Sequence, residues 1–121
     1  YFHWNVKGIH FLQLHQLFQD IYEDHFAAQD DLAERIKAIG GTADGHLGRM
    51  LKRSGVEEHT GDMDERAMLQ TLLFAQETIA ASLKETGELA ASSGDTLTED
   101  LCIARGQTHE KFAWFLRMHL E

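Results

Sequence analysis

Apolar residues recur along this chain at helical spacing, and no stretch shows the strict alternation of a strand. Over residues 11–39 they are three or four positions apart wherever the run is unbroken. The members of this stripe are Phe11, Leu14, Phe18, Ile21, Leu32, Ile36 and Ile39. The same face passes through His25 and Ala28. The pattern predicts one long helix, ended by Gly40-Gly41 because glycine accepts the left-handed conformation that follows a helix C-terminus.

Two more long helices are predicted downstream. The second begins at Asp62, which with Glu65 has capping-box spacing, and it ends near residues 92–95. Its stripe contains Leu69, Leu72, Ile79 and Leu83. The third begins at Thr96, which forms a second capping box with Glu99, and runs to the end of the chain. Its apolar face contains Leu101, Ala104, Phe112, Phe115 and Leu120.

The remaining segments complete a bundle. Residues 40–61 form a glycine-rich connection with a short helix predicted around Leu47–Arg53, and residues Tyr1–Val6 resemble the last turn of another helix. Three antiparallel helices with wide apolar stripes need a further helix to cover them. We therefore expect a four-helix bundle whose first helix is largely missing because the chain is truncated.

Composition narrows the classes of function. The net charge of −9 disfavours binding of this segment to a phosphate backbone and favours attraction of cations. Cys102 is the only cysteine, so an internal disulfide is impossible and a reducing, cytoplasmic compartment is expected. The apolar stretch around Cys102 indicates a buried, inert thiol rather than a nucleophile. No apolar run reaches the length of a membrane span.

Histidines and carboxylates are the remaining candidates for chemistry. Asp30 and Glu34 lie four residues apart and share one side of the first long helix. His3 and His15 flank Lys7-Gly8, where a chain reversal would bring them together. Taken singly, a solvated carboxylate pair and half-buried structural histidines are the commoner outcomes. Taken together, two imidazoles and two carboxylates suit Fe(II) or another borderline divalent metal.

A di-iron site inside one bundle requires Glu-x-x-His on two helices. No glutamate of this chain is followed three residues later by histidine. Any metal site must therefore be assembled differently.

Two stretches, "FHWNVKGIHFLQLHQLF" and "DDLAERIKAIGG", strongly resemble the Dps family, the miniature ferritins of starved or oxidatively stressed cells. The last segment, "DTLTEDLCIARGQTHEKFAWFLRMHLE", resembles the last helix of the same family. The resemblance covers the whole chain. It implies an all-α, ferritin-like four-helix bundle with a short helix in the central connection, in a single domain over residues 1–121.

The resemblance implies a ferroxidase that oxidises Fe(II) with hydrogen peroxide or O₂ and protects against oxidative stress. The ferric product is stored as a mineral in a hollow dodecamer. In the family, the di-iron centre lies between two subunits. One subunit supplies two histidines, which match His3 and His15, and the other supplies an Asp and a Glu, which match Asp30 and Glu34.

Two neighbouring positions qualify this match. Many family members carry an acidic residue where this chain has Gln19, so a fifth ligand stays open, with Asp20 or Glu23 as substitutes. Trp4 resembles the family's tryptophan near the centre, where it would trap a stray oxidising equivalent. Packing at a subunit interface is the alternative role of Trp4.

The resemblance also bears on iron entry and on DNA. Acidic residues at the start of the last helix line three-fold pores in the family, and the matching residues are Asp95, Glu99 and Asp100, although capping explains Glu99 equally well.

DNA binding in the family usually resides in a basic terminal tail, which this chain does not show. Arg49, Lys52 and Arg53 form only a small basic cluster. The alternative function is that of a nucleoid-associated structural protein that binds DNA and has weak or no ferroxidase activity.

Overall fold

The computed structural model describes residues 1–59 and 61–121, so Thr60, within the predicted connection, lies outside the described residues. Five helices and no strand are present in these two ranges. They are α1 (Phe2–Asn5), α2 (Phe11–Ala38), α3 (Leu47–Arg53), α4 (Glu65–Ser92) and α5 (Thr96–Met118). The predicted all-α fold and the short helix in the connection are confirmed. None of the helices in these ranges has the length and apolar character needed to cross a membrane.

The helix ends follow local backbone chemistry. Gly40 adopts a φ of 88° after α2, and the Gly40 and Gly41 amides donate to the carbonyl oxygens of Lys37 and Ile36, which ends the helix as predicted. The predicted start of α4 was wrong by three residues, because the Asp64 carboxylate, and not that of Asp62, accepts from the Ala67 amide.

Helix α5 begins at Thr96 as predicted, but its N-cap residue is Asp95. The Asp95 carboxylate accepts a hydrogen bond from the Thr98 amide at 3.0 Å. The predicted Thr96–Glu99 capping box is therefore replaced by a cap that begins one residue earlier.

The sequence predicted three long helices that alternate in direction, and this prediction was wrong for one pair. Asp24 pairs with Arg105 and Arg35 pairs with Asp95, so α5 is antiparallel to α2. Helices α4 and α5 are joined by residues 93–95 and are antiparallel to each other. It follows that α2 and α4 run parallel and that the long connection carrying α3 crosses from one end of the bundle to the other.

The main core joins α1, α2, α4 and α5. Its buried members are Val6, Leu14, Leu17, Phe18, Ile21, Met68, Leu69 and Leu116. The predicted stripe of α2 is thus buried from Leu14 to Ile21, whereas Phe11, Ile36 and Ile39 are exposed. A mainly apolar groove remains between α2 and α4, and it is also lined by Phe2 and His3 of α1 and by residues 54–59 of the connection.

The predicted apolar face of α5 was right in part, because Phe112, Phe115 and Leu120 are half-buried against the core. Ala104 is exposed, and the buried residues of this helix are Cys102, His109, Ala113 and Leu116. Gly87 of α4 permits a close approach to this buried side, since a Cβ there would lie 3.3 Å from the Cys102 Cβ. Cys102 is buried as predicted, and burial raises the pKa of its thiol, as expected for an inert core cysteine.

A buried polar cluster connects all three long helices. Gln76 of α4 is fully buried, and its side-chain oxygen accepts from His109 Nδ1 of α5 at 2.7 Å. Its amide nitrogen lies 3.3 Å from His25 Nε2 of α2. Arg105 of α5 forms a two-point ion pair with Asp24 of α2, and one of its terminal nitrogens is 3.4 Å from His109 Nε2. Sequence periodicity placed His25 on the buried face but gave no sign of these partners.

This arrangement requires both histidines to be neutral. The Gln76 oxygen can only accept, so His109 carries its proton on Nδ1, and an added proton on Nε2 would face the Arg105 guanidinium. Burial is the main cause that lowers the pKa of His109 to about 4, with His25 and Arg105 lowering it further against the opposing effect of Asp24. Burial likewise lowers the pKa of His25. The Asp24 carboxyl pKa is lowered chiefly by its hydrogen bond from Arg105.

Acid is therefore expected to destabilise the bundle. Because the folded pKa of His109 lies below its unfolded value, the unfolded chain takes up the proton first, and stability falls as pH drops from about 6.5 towards 4, by about 3 kcal/mol for this group. Urea unfolding followed by circular dichroism across this range, at fixed protein concentration, measures the loss. His109→Asn, which keeps a donor towards Gln76, should show a shallower acid dependence.

The matched control is His119→Asn, because His119 is exposed near the end of the same helix. It should reproduce the parent pH dependence. An equally steep acid dependence in His109→Asn would show that this histidine does not cause it.

Candidate metal centre

The turn between α1 and α2 brings two of the candidate histidines together. Gly8 adopts a φ of 127°, which favours glycine, and a Cβ at this position would meet the Glu65 carboxylate at 3.0 Å. The Phe11 amide donates to the Gly8 carbonyl as α2 begins. The reversal stacks the rings of His3 and His15 with centroids 3.8 Å apart and planes 19° from parallel. The predicted approach of these two histidines is confirmed.

A reciprocal pair of hydrogen bonds fixes the protons of the two imidazoles. His3 Nδ1 donates to the His15 carbonyl oxygen at 2.8 Å, and His15 Nδ1 donates to the His3 carbonyl oxygen at 2.7 Å. Because a carbonyl oxygen can only accept, each ring carries its proton on Nδ1. Both Nε2 lone pairs are left free of hydrogen bonds within the described residues. A backbone carbonyl at one ring nitrogen is the usual support of a histidine that binds a metal through the other.

Two aromatic rings flank the stacked pair. Phe11 stacks against His15 with centroids 5.1 Å apart, and Tyr22 meets His3 edge-on at 5.3 Å. Both residues belong to α2. The sequence gave no sign of their contacts, because the spacing shows that they share a side of α2 but not that His3 enters between them.

The candidate carboxylates lie far from these histidines in the same chain. Asp30 and Glu34 are exposed on α2, on the side away from Leu14 and Ile21. Neither forms a side-chain hydrogen bond or ion pair among the described residues. Asp30 follows His15 by fifteen residues, which is a rise of about 22 Å along a helix.

One subunit therefore does not assemble the four predicted ligands. In residues 1–59 and 61–121 of the single chain, no three His, Cys, Asp or Glu side chains converge into a potential metal cluster. His3 of α1 pairs with His15 in the first half of α2, whereas Asp30 and Glu34 lie in the second half of α2.

Between these pairs, the side chains of α2 bond along the helix. The Gln19 amide donates to the Glu23 carboxylate at 2.7 Å, and the Gln16 amide donates to the Asp20 carboxylate at 2.8 Å. Gln19 is half-buried and lies one turn after His15 on α2, and its hydrogen bond reaches Glu23, one turn closer to Asp30. Asp20 is tied to a different amide.

The other candidates have distinct environments. Trp4 is 81% exposed, and no ring contact is found for it among the described residues. Asp95 is engaged by the Thr98 amide and hydroxyl and by Arg35, whose guanidinium lies 2.7 Å away. The Thr98 hydroxyl is the main cause that lowers the Asp95 carboxyl pKa. Glu99 is half-buried and Asp100 is exposed, so Asp100 is the most accessible of the three predicted pore residues.

Comparison with known proteins agrees with this architecture. The family model described as a ferritin-like domain matches residues 1–121. The "DNA protection during starvation protein 2" of Bacillus anthracis is 34% identical over 119 residues, which are 98% of this chain and 82% of that protein. The chain belongs to the Dps miniferritin family.

Solved Dps structures extend the likeness to three dimensions. Dps from Staphylococcus aureus superposes with a TM-score of 0.96 at 33% identity, over 99% of this chain and 80% of that one. Dps from Vibrio cholerae, described as a member of a superfamily of ferritin-like diiron-carboxylate proteins, gives a TM-score of 0.93 at 32% identity, over 99% and 76% of the two chains.

In this Dps chain the hydrogen bonds of Asp95 generate a stability prediction. Asp95→Ala removes both the cap of α5 and the ion pair to Arg35, and should lower the Tm by about 5 °C. Asp95→Asn keeps an oxygen for the Thr98 amide and should lose less. Thermal unfolding by calorimetry compares the two variants. An Asp95→Ala protein that melts with the parent would contradict a structural role for this residue.

Proposed function

We propose that this chain is the subunit of a homo-oligomeric ferroxidase and iron store. It oxidises Fe(II) with hydrogen peroxide or O₂ at a di-iron site between subunits and retains ferric mineral inside a dodecameric shell, which protects the cell against oxidative stress. Membership of the ferritin-like Dps family supports an iron-related function in stress protection. The observation that carries the proposal is the His3–His15 pair, because both rings are held by backbone carbonyls and Nε2 has no hydrogen bond within the described residues.

Helix geometry supports a site shared between subunits. Two α2 helices packed antiparallel about a two-fold axis near residues 22 and 23 would bring His15 of one subunit level with Asp30 of the other. The same axis generates a second, identical site. Exposed apolar residues flank this part of α2, as a subunit interface requires; they are Leu12, Tyr22 and Phe26.

The proposed ligand set suits the proposed reaction. Imidazole and carboxylate groups both bind iron, and carboxylates favour the more highly charged Fe(III) product. Two Fe(II) ions give up one electron each, and these two electrons with two protons reduce one hydrogen peroxide to two water molecules. Paired oxidation avoids the one-electron step that would release a hydroxyl radical. Asp30 and Glu34 carry no competing ion pair among the described residues, so they are available as ligands.

Removal of the carboxylates tests the site. The full-length Asp30→Ala/Glu34→Ala protein should lose the fast phase of ferric absorbance when Fe(II) and peroxide are mixed anaerobically, since half of each centre is missing. The parent should consume about two irons per peroxide. The control is Asp31→Ala/Glu110→Ala, which removes two exposed carboxylates outside the proposed centre. A double variant that oxidises iron at the parent rate would show that the ligands were wrongly assigned.

Mixing two inactive variants tests whether the site is shared. A His3→Ala/His15→Ala chain still supplies carboxylates, and an Asp30→Ala/Glu34→Ala chain still supplies histidines. When the two are co-assembled at random, about a quarter of the centres are complete, because half of the two-fold interfaces are mixed and each mixed interface restores one of its two centres. Activity should return to about that fraction. Co-assembled shells without activity would contradict a shared site.

DNA protection by physical binding is the second candidate, favoured by the name of the Bacillus anthracis relative. Charge opposes it in this segment, since the net charge is −9 and two members of the basic cluster, Arg49 and Arg53, face the Asp44 carboxylate at 3.5 and 3.8 Å. A gel-shift assay at physiological salt should therefore show no retention of DNA by residues 1–121. Retention by these residues would favour the structural role.

A further inference from the structure

We propose that Phe11 and Tyr22 are positioning residues of the metal centre, a role that rests on the proposed function. They enclose the two imidazoles in a column of four rings, in the order Phe11, His15, His3, Tyr22. Its successive centroid distances are 5.1, 3.8 and 5.3 Å. We name this column the ring bracket. Its role is to hold the tilt of each imidazole and so to fix where each Nε2 lone pair points.

The hydrogen bonds at Nδ1 do not define that tilt by themselves. The χ2 torsion of histidine has broad minima, and a hydrogen bond to a carbonyl tolerates a wide range of angles. Metal binding requires the ligand direction to be held within about 10–20°. Because Nε2 lies across the ring from Nδ1, a swing that the hydrogen bond tolerates still displaces the lone pair. The stacked contact of Phe11 with His15 and the edge-on contact of Tyr22 with His3 limit this swing.

One helix supplies both ends of the bracket. Phe11 precedes His15 by four residues and Tyr22 follows it by seven, so the three side chains share one side of α2. His3 enters from α1 between His15 and Tyr22. The outer ring contact is near parallel for Phe11, at 27°, and near perpendicular for Tyr22, at 76°. Phe11 contacts His15 and Tyr22 contacts His3, so each imidazole has its own outer ring.

The test replaces the outer rings without touching a ligand. Phe11→Leu and Tyr22→Leu remove a flat ring but keep an apolar side chain, whereas Phe11→Tyr and Tyr22→Phe preserve the ring. Co(II) binding to the metal-free, assembled full-length protein is followed by absorption titration. The Leu variants should bind about tenfold more weakly, and the ring-preserving variants should match the parent within about twofold. Parent affinity in both Leu variants would overturn the proposal.

Controls separate positioning from folding. Phe74→Leu makes the same substitution at an exposed ring on α4 and should leave Co(II) affinity unchanged. Native mass measurement checks the assembly of each variant. If Phe11→Leu does not assemble, Phe11→Met fills a similar volume without a flat face and should show the same loss of affinity. Unchanged affinity in Phe11→Met would then count against the bracket.

A metal-free measurement distinguishes this inference from the proposed function. Magic-angle-spinning NMR of ¹³C,¹⁵N-histidine protein measures the motionally averaged Cδ2–H dipolar coupling of each ring, which falls when the ring swings, with signals assigned by His3→Asn and His15→Asn. The parent should show near-rigid couplings at both positions, and each Leu variant a reduced coupling at the histidine that has lost its outer ring. If the parent binds Co(II) no better than the His3→Asn/His15→Asn protein, the proposed metal centre fails while the NMR result still decides the bracket. Parent-like ring couplings in both Leu variants would overturn it.

Discussion

The rise of helix α2 is the physical constraint on which the candidate metal centre depends. Residues 11–38 form one helix, so His15 and Asp30 are held about 22 Å apart along it. No rotamer of either side chain closes that distance. If these residues bind the same metal, they must come from different copies of the chain, and assembly becomes a condition of activity. The family resemblance supplies the four proposed ligands, and the helix geometry adds that one chain cannot bring them together.

Such a shared site demands that α2 present its outer face in one fixed orientation. The interior of the bundle supplies this control through polar contacts as well as apolar packing. Gln76 bonds to histidines of α2 and α5 at once, and Arg105 of α5 pairs with Asp24 of α2. Directional bonds of this kind resist rotation of α2 about its axis, which apolar contacts alone would tolerate. At the far end of α2, Arg35 adds a second ion pair to Asp95.

The features that depend on residue spacing were predictable from the sequence. The three long helices, the Gly40 stop, the short helix α3 and the approach of His3 to His15 followed from spacing and from the glycine turns. The errors have local causes. Asp62 and Asp64 are equally good capping residues by type, and only backbone geometry selects Asp64. On α5, the close approach of Cys102 to Gly87 depends on a neighbouring helix, so the spacing of apolar residues within α5 could not show it.

The buried polar partners were the largest omission, and they separate two kinds of histidine that composition treats alike. His25 and His109 share the Gln76 amide, and His109 Nε2 also faces Arg105, so the nitrogens that could bind a metal are already engaged inside the bundle. His3 and His15 use Nδ1 to donate to each other's backbone carbonyls, and within residues 1–59 and 61–121 their Nε2 atoms form no hydrogen bond. Spacing along the helix does not reveal this difference, because it depends on which groups neighbouring segments bring to each ring. The availability of Nε2, rather than burial or sequence position, separates the structural pair His25 and His109 from His3 and His15, the proposed metal ligands.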